Sequence, residues 1–317
     1  NLLFRYPNFN AFNYFIDSVN MNVDINPSLL NLQDIAFFAP DLNGMDDEIH
    51  IDGLIKGPVK SLKAKNFNFA YGELTKFFGN ISLEGLPDIK ETFIQLKVKN
   101  FTTISDDLTS IRLPGKDTAN LLILPAELTT LGRIKIKGIF TGFYNDFVSN
   151  ALFTTDLGNV KTDLLLKKNI KTRLIEYDGH IAASQFDLGK VLDISKYAGK
   201  LSLNAEVKGK GLTAETIDLT IDGTVDSADF YGNNFRKTII KGRLLNRTFN
   251  GNLKLRDELV KLNFAGLIDY SKEIPKFNFD VRIDSAMLTE LHLGKRDSVS
   301  HISTIIHSNF TGDRLDD

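Results

Sequence analysis

Residues 132–143 read GRIKIKGIFTGF, and in this run Ile134 and Ile136 alternate with Arg133, Lys135 and Lys137. Strict alternation of this kind marks a strand with one apolar and one wet face. In an ordinary globular domain the apolar face packs against another sheet or a helix. Here the pattern returns so often that the sequence offers few candidates for a covering layer.

The runs EIHIDGLIKG (48–57), FIQLKVKNF (93–101), KLSLNAEVKGKG (200–211), TIDLTIDGTVD (216–226), NLKLRDELVKLNFAGLID (252–269) and KFNFDVRID (276–284) alternate in the same way. Roughly twenty such strands, separated by Gly, Asn, Asp or Pro, predict an all-β architecture. Helical signals are few and short: GELTKFFG (72–79), PAELTTLG (125–132), the stretch 184–199 and SAMLTELHLG (285–294). A doubly wound α/β fold needs a helix after nearly every strand, so it is disfavoured.

Composition fits a folded chain: 317 residues, 42% hydrophobic, 25% charged, with a net charge of -2. That near-neutral balance speaks against a nucleic-acid partner. With no cysteine, disulfides, thiolate metal sites and a Cys nucleophile are excluded. No run approaches the roughly 18 apolar residues that span a bilayer, and no signal peptide is visible. The stretch reads as an internal section of a longer protein.

A weak repeat runs through the strands: apolar, any, apolar, any, glycine. It is Ile49–Ile51–Gly53, Ile81–Leu83–Gly85, Ile134–Ile136–Gly138, Ala205–Val207–Gly209, Leu219–Ile221–Gly223 and Leu262–Phe264–Gly266. Strand parity puts each glycine on the apolar face, where it leaves a gap and lets the strand bend. Either these glycines mark the corners of a packed sandwich, or a curved sheet keeps its apolar concave face open.

Two stretches bear on that choice. Residues 186–244, beginning FDLGKVLDISKYAGKLSLNAEVKGKG, resemble the AsmA/TamB-type repeat, in which a short helix leads into a strand ending in a paired glycine. Residues 249–293, beginning FNGNLKLRDELVKLNFAG, resemble TamB-like proteins of the Bacteroidota type, and 79–103 and 124–147 are similar. The resemblance rests on strand and glycine patterning and carries no catalytic signature. It implies an elongated, twisted and curved sheet forming a taco-like groove with a hydrophobic concave interior. It also implies a bridge-like lipid-transfer protein of the periplasm and cell envelope, moving phospholipids between inner and outer membranes. The inner membrane would be met through an N-terminal helix. A TamA-like outer-membrane barrel of the Omp85 type would be met through a C-terminal part. Neither is in this section. The alternative role in the family is outer-membrane protein assembly with that barrel.

On this reading, residues 1–317 form one continuous section, with sub-sections 1–183 and 184–317. Some twenty strands stacked at about 4.8 Å would run for about 95 Å. Parity gives the groove lining as Ile94, Leu96, Val98, Ile134, Ile136, Phe140, Leu201, Leu203, Val207, Ile217, Leu219 and Ile221, with Leu253, Leu255, Leu262, Phe264, Phe277, Phe279, Val281 and Ile283. The groove-facing glycines are Gly53, Gly85, Gly138, Gly209, Gly223 and Gly266. In TIIKGRLLN (238–246) both faces carry apolar residues, and no face is assigned.

No enzyme is expected. The histidines His50, His180, His292, His301 and His307 form no HExxH motif, and GxSxG and Walker loops are absent. His301 and His307 share a strand face but stand too far apart for one metal. The pairs Asp46–Asp47 and Asp106–Asp107 read as turn residues, and KGKG (208–211) as a strand end. No cofactor and no metal are expected. An adhesin or glycan binder would need exposed aromatics and acidic calcium loops, and neither Trp nor an Asp-rich repeat occurs.

Overall fold

The computed structural model describes residues 1–36, 45, 47–112, 121, 124, 126–291 and 301–312. Asp46, Pro125 and His292 lie outside them. The chain is all-β: among the described residues seventeen strands form open, antiparallel sheet. It divides into two compact units, Asn1–Leu157 with Lys161–Asp163, and Gly158–Val160 with Leu164–Asp317.

The first unit carries β1 (Leu2–Arg5), β2 (Asn20–Asn31), β3 (Glu48–Gly57), β4 (Ser61–Tyr71), β5 (Thr75–Glu84), β6 (Phe93–Thr103), β7 (Ile134–Phe143) and β8 (Asp146–Thr155). Each pairs with the next in sequence, an up-and-down meander. Strand β9 (Gly158–Lys168) falls at the division. The second unit repeats the meander through β10 (Ile175–Asp187), β11 (Ala198–Lys210), β12 (Asp218–Phe230), β13 (Asn233–Leu245), β14 (Thr248–Arg256), β15 (Val260–Asp269), β16 (Lys276–Met287) and β17 (His301–Thr311). Two hairpins turn on residue pairs with positive φ, Tyr231–Gly232 and Asn246–Arg247. Turns of that hand match the right-handed twist of the flanking strands.

Helices are short: a 3-10 turn at Phe9–Tyr14, then α1 (Phe15–Ser18), α2 (Leu32–Ala36), α3 (Ser105–Ser110), α4 (Ala126–Thr129) and α5 (Leu188–Val191). Among the described residues, no helix is long and apolar enough to cross a membrane. Of the expected helices, α4 and α5 occupy parts of 125–132 and 184–199. The other two expectations are corrected. In GELTKFFG the chain turns at 72–74 and enters β5, because Phe77 takes its place between Phe69 and Phe101 on the apolar face. In SAMLTELHLG, Ser285–Met287 complete β16, and Met287 N–H donates to Leu259 O at 2.9 Å. Ala286 is thereby buried against Leu255 and Val260, forming a cluster of buried apolar side chains.

Candidate functional site

Strand pairing aligns the apolar residues of the second unit into rows that cross the strands. One row is Ala205, Gly223, Ile240, Leu253, Phe264, Val281 and Ile306. Beside it run Val207, Ile221, Gly242, Gly251, Gly266 and Phe279, and then Gly209, Leu219, Leu244, Phe249, Ile268, Phe277 and Phe310. On the other flank are Leu203, Val225, Thr238, Leu255, Leu262 and Ile283. Leu201 shares the face of Leu203 within β11, and Ile217 stands just before β12 with the parity of Leu219. The opposite face is polar. There Lys208 pairs with Asp178 and Lys241 with Asp222, both at 2.6 Å, and Arg243 grips Asp218 with two hydrogen bonds.

The first unit has the same construction. Ile55, Ala64, Ile81, Leu96, Phe140 and Ser149 form one row, and Ile51, Phe69, Phe77, Phe101, Ile136 and Phe153 another. Val98 faces Gly138, Ile94 faces Gly142, and Ile134 faces Thr103. Each unit therefore presents one apolar and one polar face.

Burial on the apolar faces stops half-way. Of the residues that parity assigns to them, Val98, Val207 and Leu255 are buried and the others half-buried. Among the described residues no phenylalanine is buried, and the largest fully buried side chains are Val19, Thr92, Thr103 and Ser149. A second layer packed at crystal density would bury aromatic rings first, since they remove most area from water. Among the described residues the helices are of four to six residues, too short to cover a face of this width. Leu291, in the turn after β16, packs against the Leu255 cluster.

The glycines behave differently from expectation. The sequence suggests gaps, but the space a side chain would fill is occupied by the next strand. A Cβ on Gly223 would meet Ala205 Cβ at 2.5 Å, one on Gly266 would meet Phe279 Cα at 2.5 Å, and those on Gly138 and Gly209 would also run into neighbouring backbone. Glycine here permits close approach of strands on the apolar side. Gly53 sits at a bulge opposite Ile25, and Gly85 follows β5, its N–H donating to Lys60 O at 2.8 Å.

No protein-family model, curated protein or solved structure matches this chain.

Sequence reading missed several residues of the same rows. Ile240 and Leu244 lie on the apolar face, with Ile239 and Leu245 exposed on the other. The signal was present: Gly242 continues the apolar parity, while Lys241 and Arg243 point away. Phe249, Ile268, Phe310 and Tyr177 also belong to these rows. Burial, with a smaller push from the Asp218 charge, raises the Tyr177 phenol to about 12.

Asp107 was also misread. It lies in the first turn of α3 instead of a loop turn, and it is buried. Its carboxylate accepts from the N–H groups of Glu73, Leu74 and Thr75 at 2.7–2.9 Å and from Thr75 Oγ1 at 2.8 Å. Burial works to raise its pKa, but these four bonds outweigh it and hold the carboxyl below its ordinary value. Gly72, at φ +60, lies so close to Asp107 that a side chain there would strike the carboxylate. Asp107 thus fastens the β4–β5 turn. Among the described residues, no group of three or more His, Asp and Glu side chains is placed to hold a metal. His301 and His307 are exposed in β17, His307 bonding to Asp280.

Proposed function

We propose that this chain is a section of a TamB-like lipid conduit, whose apolar faces form a groove for the acyl chains of phospholipids. The observation that carries this reading is the partial burial of continuous apolar rows, with no phenylalanine buried among the described residues. Eight paired strands at about 4.8 Å give each unit an apolar track of about 34 Å. Each acyl methylene gains about 0.8 kcal/mol on leaving water, so a sixteen-carbon chain gains roughly 12 kcal/mol. An unbroken apolar lining removes the need to release that chain into water, while the headgroup stays in solvent at the open side. In this reading the protein works in the periplasm, with the inner membrane and a TamA-like barrel met by parts of the protein outside this section. The work asked of the chain is binding and passage, with no catalytic group.

The test is gentle purification of the chain followed by mass spectrometry of co-purifying lipids, for the native sequence and for Ile136→Asp and Phe264→Asp. Phospholipid should accompany the native chain and be depleted in both variants. If folded variants keep their lipid and the cell envelope stays intact, the conduit reading is wrong.

A further inference from the structure

Cross-strand ion pairs gather on the polar face of the second unit, although Lys254, Lys261 and Lys276 there form none among the described residues. In the second unit Lys208, Lys241, Arg243 and Arg247 each hold a carboxylate. In the first unit the outward positions of β3–β7 carry Lys63, Lys65, Lys97, Lys99, Lys135 and Lys137, all exposed, and none forms an ion pair among the described residues. Lys99 donates to Asn66 Oδ1 at 2.8 Å and lies over the Phe78 ring, both neutral partners. The outward carboxylates on these strands are Glu48, Asp52 and Glu84, and Asp52 is taken by Asn68. Lys56 even stands directly opposite Lys63 across β3 and β4, an arrangement that disfavours the folded sheet. Lys76 and Lys135 are separated by Thr102 alone, two strand spacings or about 10 Å apart. At that distance the fields of neighbouring ammonium groups overlap at low salt.

Apolar side chains are interleaved with these cations. Lys97 faces Ile139 and Lys137 faces Leu152, and Val148 projects from the same side; the three are 52%, 43% and 46% exposed. We infer that the polar face of β3–β8 docks on a bilayer surface carrying anionic lipid headgroups. Charge complementarity selects an anionic partner. All the cations are lysines, point charges without the planar fork by which arginine grips a single carboxylate or phosphate. Exposed isoleucine, leucine and valine among lysines suit a surface with charge outside and hydrocarbon just beneath. This inference uses the face opposite the proposed groove and does not depend on it.

Flotation of the 317-residue chain with vesicles tests it. Vesicles about one-third phosphatidylglycerol should bind the chain at low ionic strength, and vesicles of phosphatidylcholine alone should not. Binding should fall at least tenfold as the Debye length shrinks from roughly 30 Å to 8 Å. The triple variant Lys63→Gln, Lys97→Gln, Lys137→Gln should lose at least tenfold in partitioning. The triple variant Lys208→Gln, Lys241→Gln, Arg243→Gln changes net charge equally and should bind as the native chain does, with circular dichroism confirming that both stay folded. Equal losses in the two variants, binding to neutral vesicles at all salts, or retention on polyglutamate without vesicle binding would each overturn the inference.

Discussion

Gly251 faces Gly266 directly across β14 and β15, and Gly242 extends the glycine row to β13. The Phe249 ring fills what these residues leave open: its Cζ lies 2.9 Å from a Cβ built on Gly242 and 3.0 Å from one on Gly251. Glycine lowers strand propensity, so three in register weaken the sheet unless their neighbours close over them, as an aromatic ring does here. A Cβ on Gly251 would also sit 2.5 Å from Gly242 Cα. Gly251→Val should therefore lower the unfolding free energy by about 1–3 kcal/mol through overpacking, read as a lower urea midpoint with an unchanged slope.

The Asp107 carboxylate should make folding stability fall with acid. A carboxyl whose folded pKa lies below its unfolded value stabilises fully above the unfolded pKa, about 3.9, and that stability is lost as pH falls through the folded pKa. Asp107→Ala leaves three N–H groups and the Thr75 hydroxyl without their acceptor and should cost about 3 kcal/mol at pH 7. The gap between native and variant in urea unfolding should narrow as pH drops below about 4. A constant gap down to pH 2 would mean that the charge of Asp107 contributes nothing.

Tyr177 gives the opposite limb. With its phenol held at about 12 against about 10 when unfolded, the folded state keeps a proton that the unfolded state has lost. The stabilisation is complete below pH about 10 and disappears as pH rises toward 12. Ultraviolet titration of the folded chain should show a last phenolate step near about 12, and Tyr177→Phe should remove that step alone.

The faces of the sheet were legible from the sequence because a strand has a period of two and every apolar face here is flanked by charge. Ile134 and Ile136, or Phe277 and Phe279, needed nothing more. Register was not legible. That Gly242, Gly251 and Gly266 share a row depends on turn lengths and bulges, and a one-residue slip in any hairpin would separate them. The GELTKFFG stretch misled because a turn sealed by Asp107, more than thirty residues away in sequence, looks like a helix start when read locally. That the outward lysines of β3–β7 form no ion pair among the described residues was hidden for the same reason: cross-strand partners are chosen by register, while composition records only their balance.

An open apolar face and a covered one respond differently to the loss of a large side chain, and Phe264 distinguishes them. It stands between Leu253 and Val281 in its row, with the rings of Phe249 and Phe279 at 6.4 and 5.4 Å, and it is half-buried. Removing a phenylalanine from a closed core costs about 3–5 kcal/mol, because transfer and cavity terms add. On a face with no second layer no cavity forms, and the loss reduces to the contacts within the sheet. Phe264→Ala should then cost about 1–2 kcal/mol, while Leu255→Ala, inside the buried cluster with Val260 and Ala286, should cost about 2–5 kcal/mol. Urea unfolding of the lipid-free chain measures both. If the proposed conduit reading holds, adding phospholipid should restore the difference at Phe264, with an acyl chain supplying the missing layer and raising the midpoint of the native chain more than that of the variant. A loss at Phe264 as large as a core deletion without lipid would mean that protein, and not lipid, covers this face.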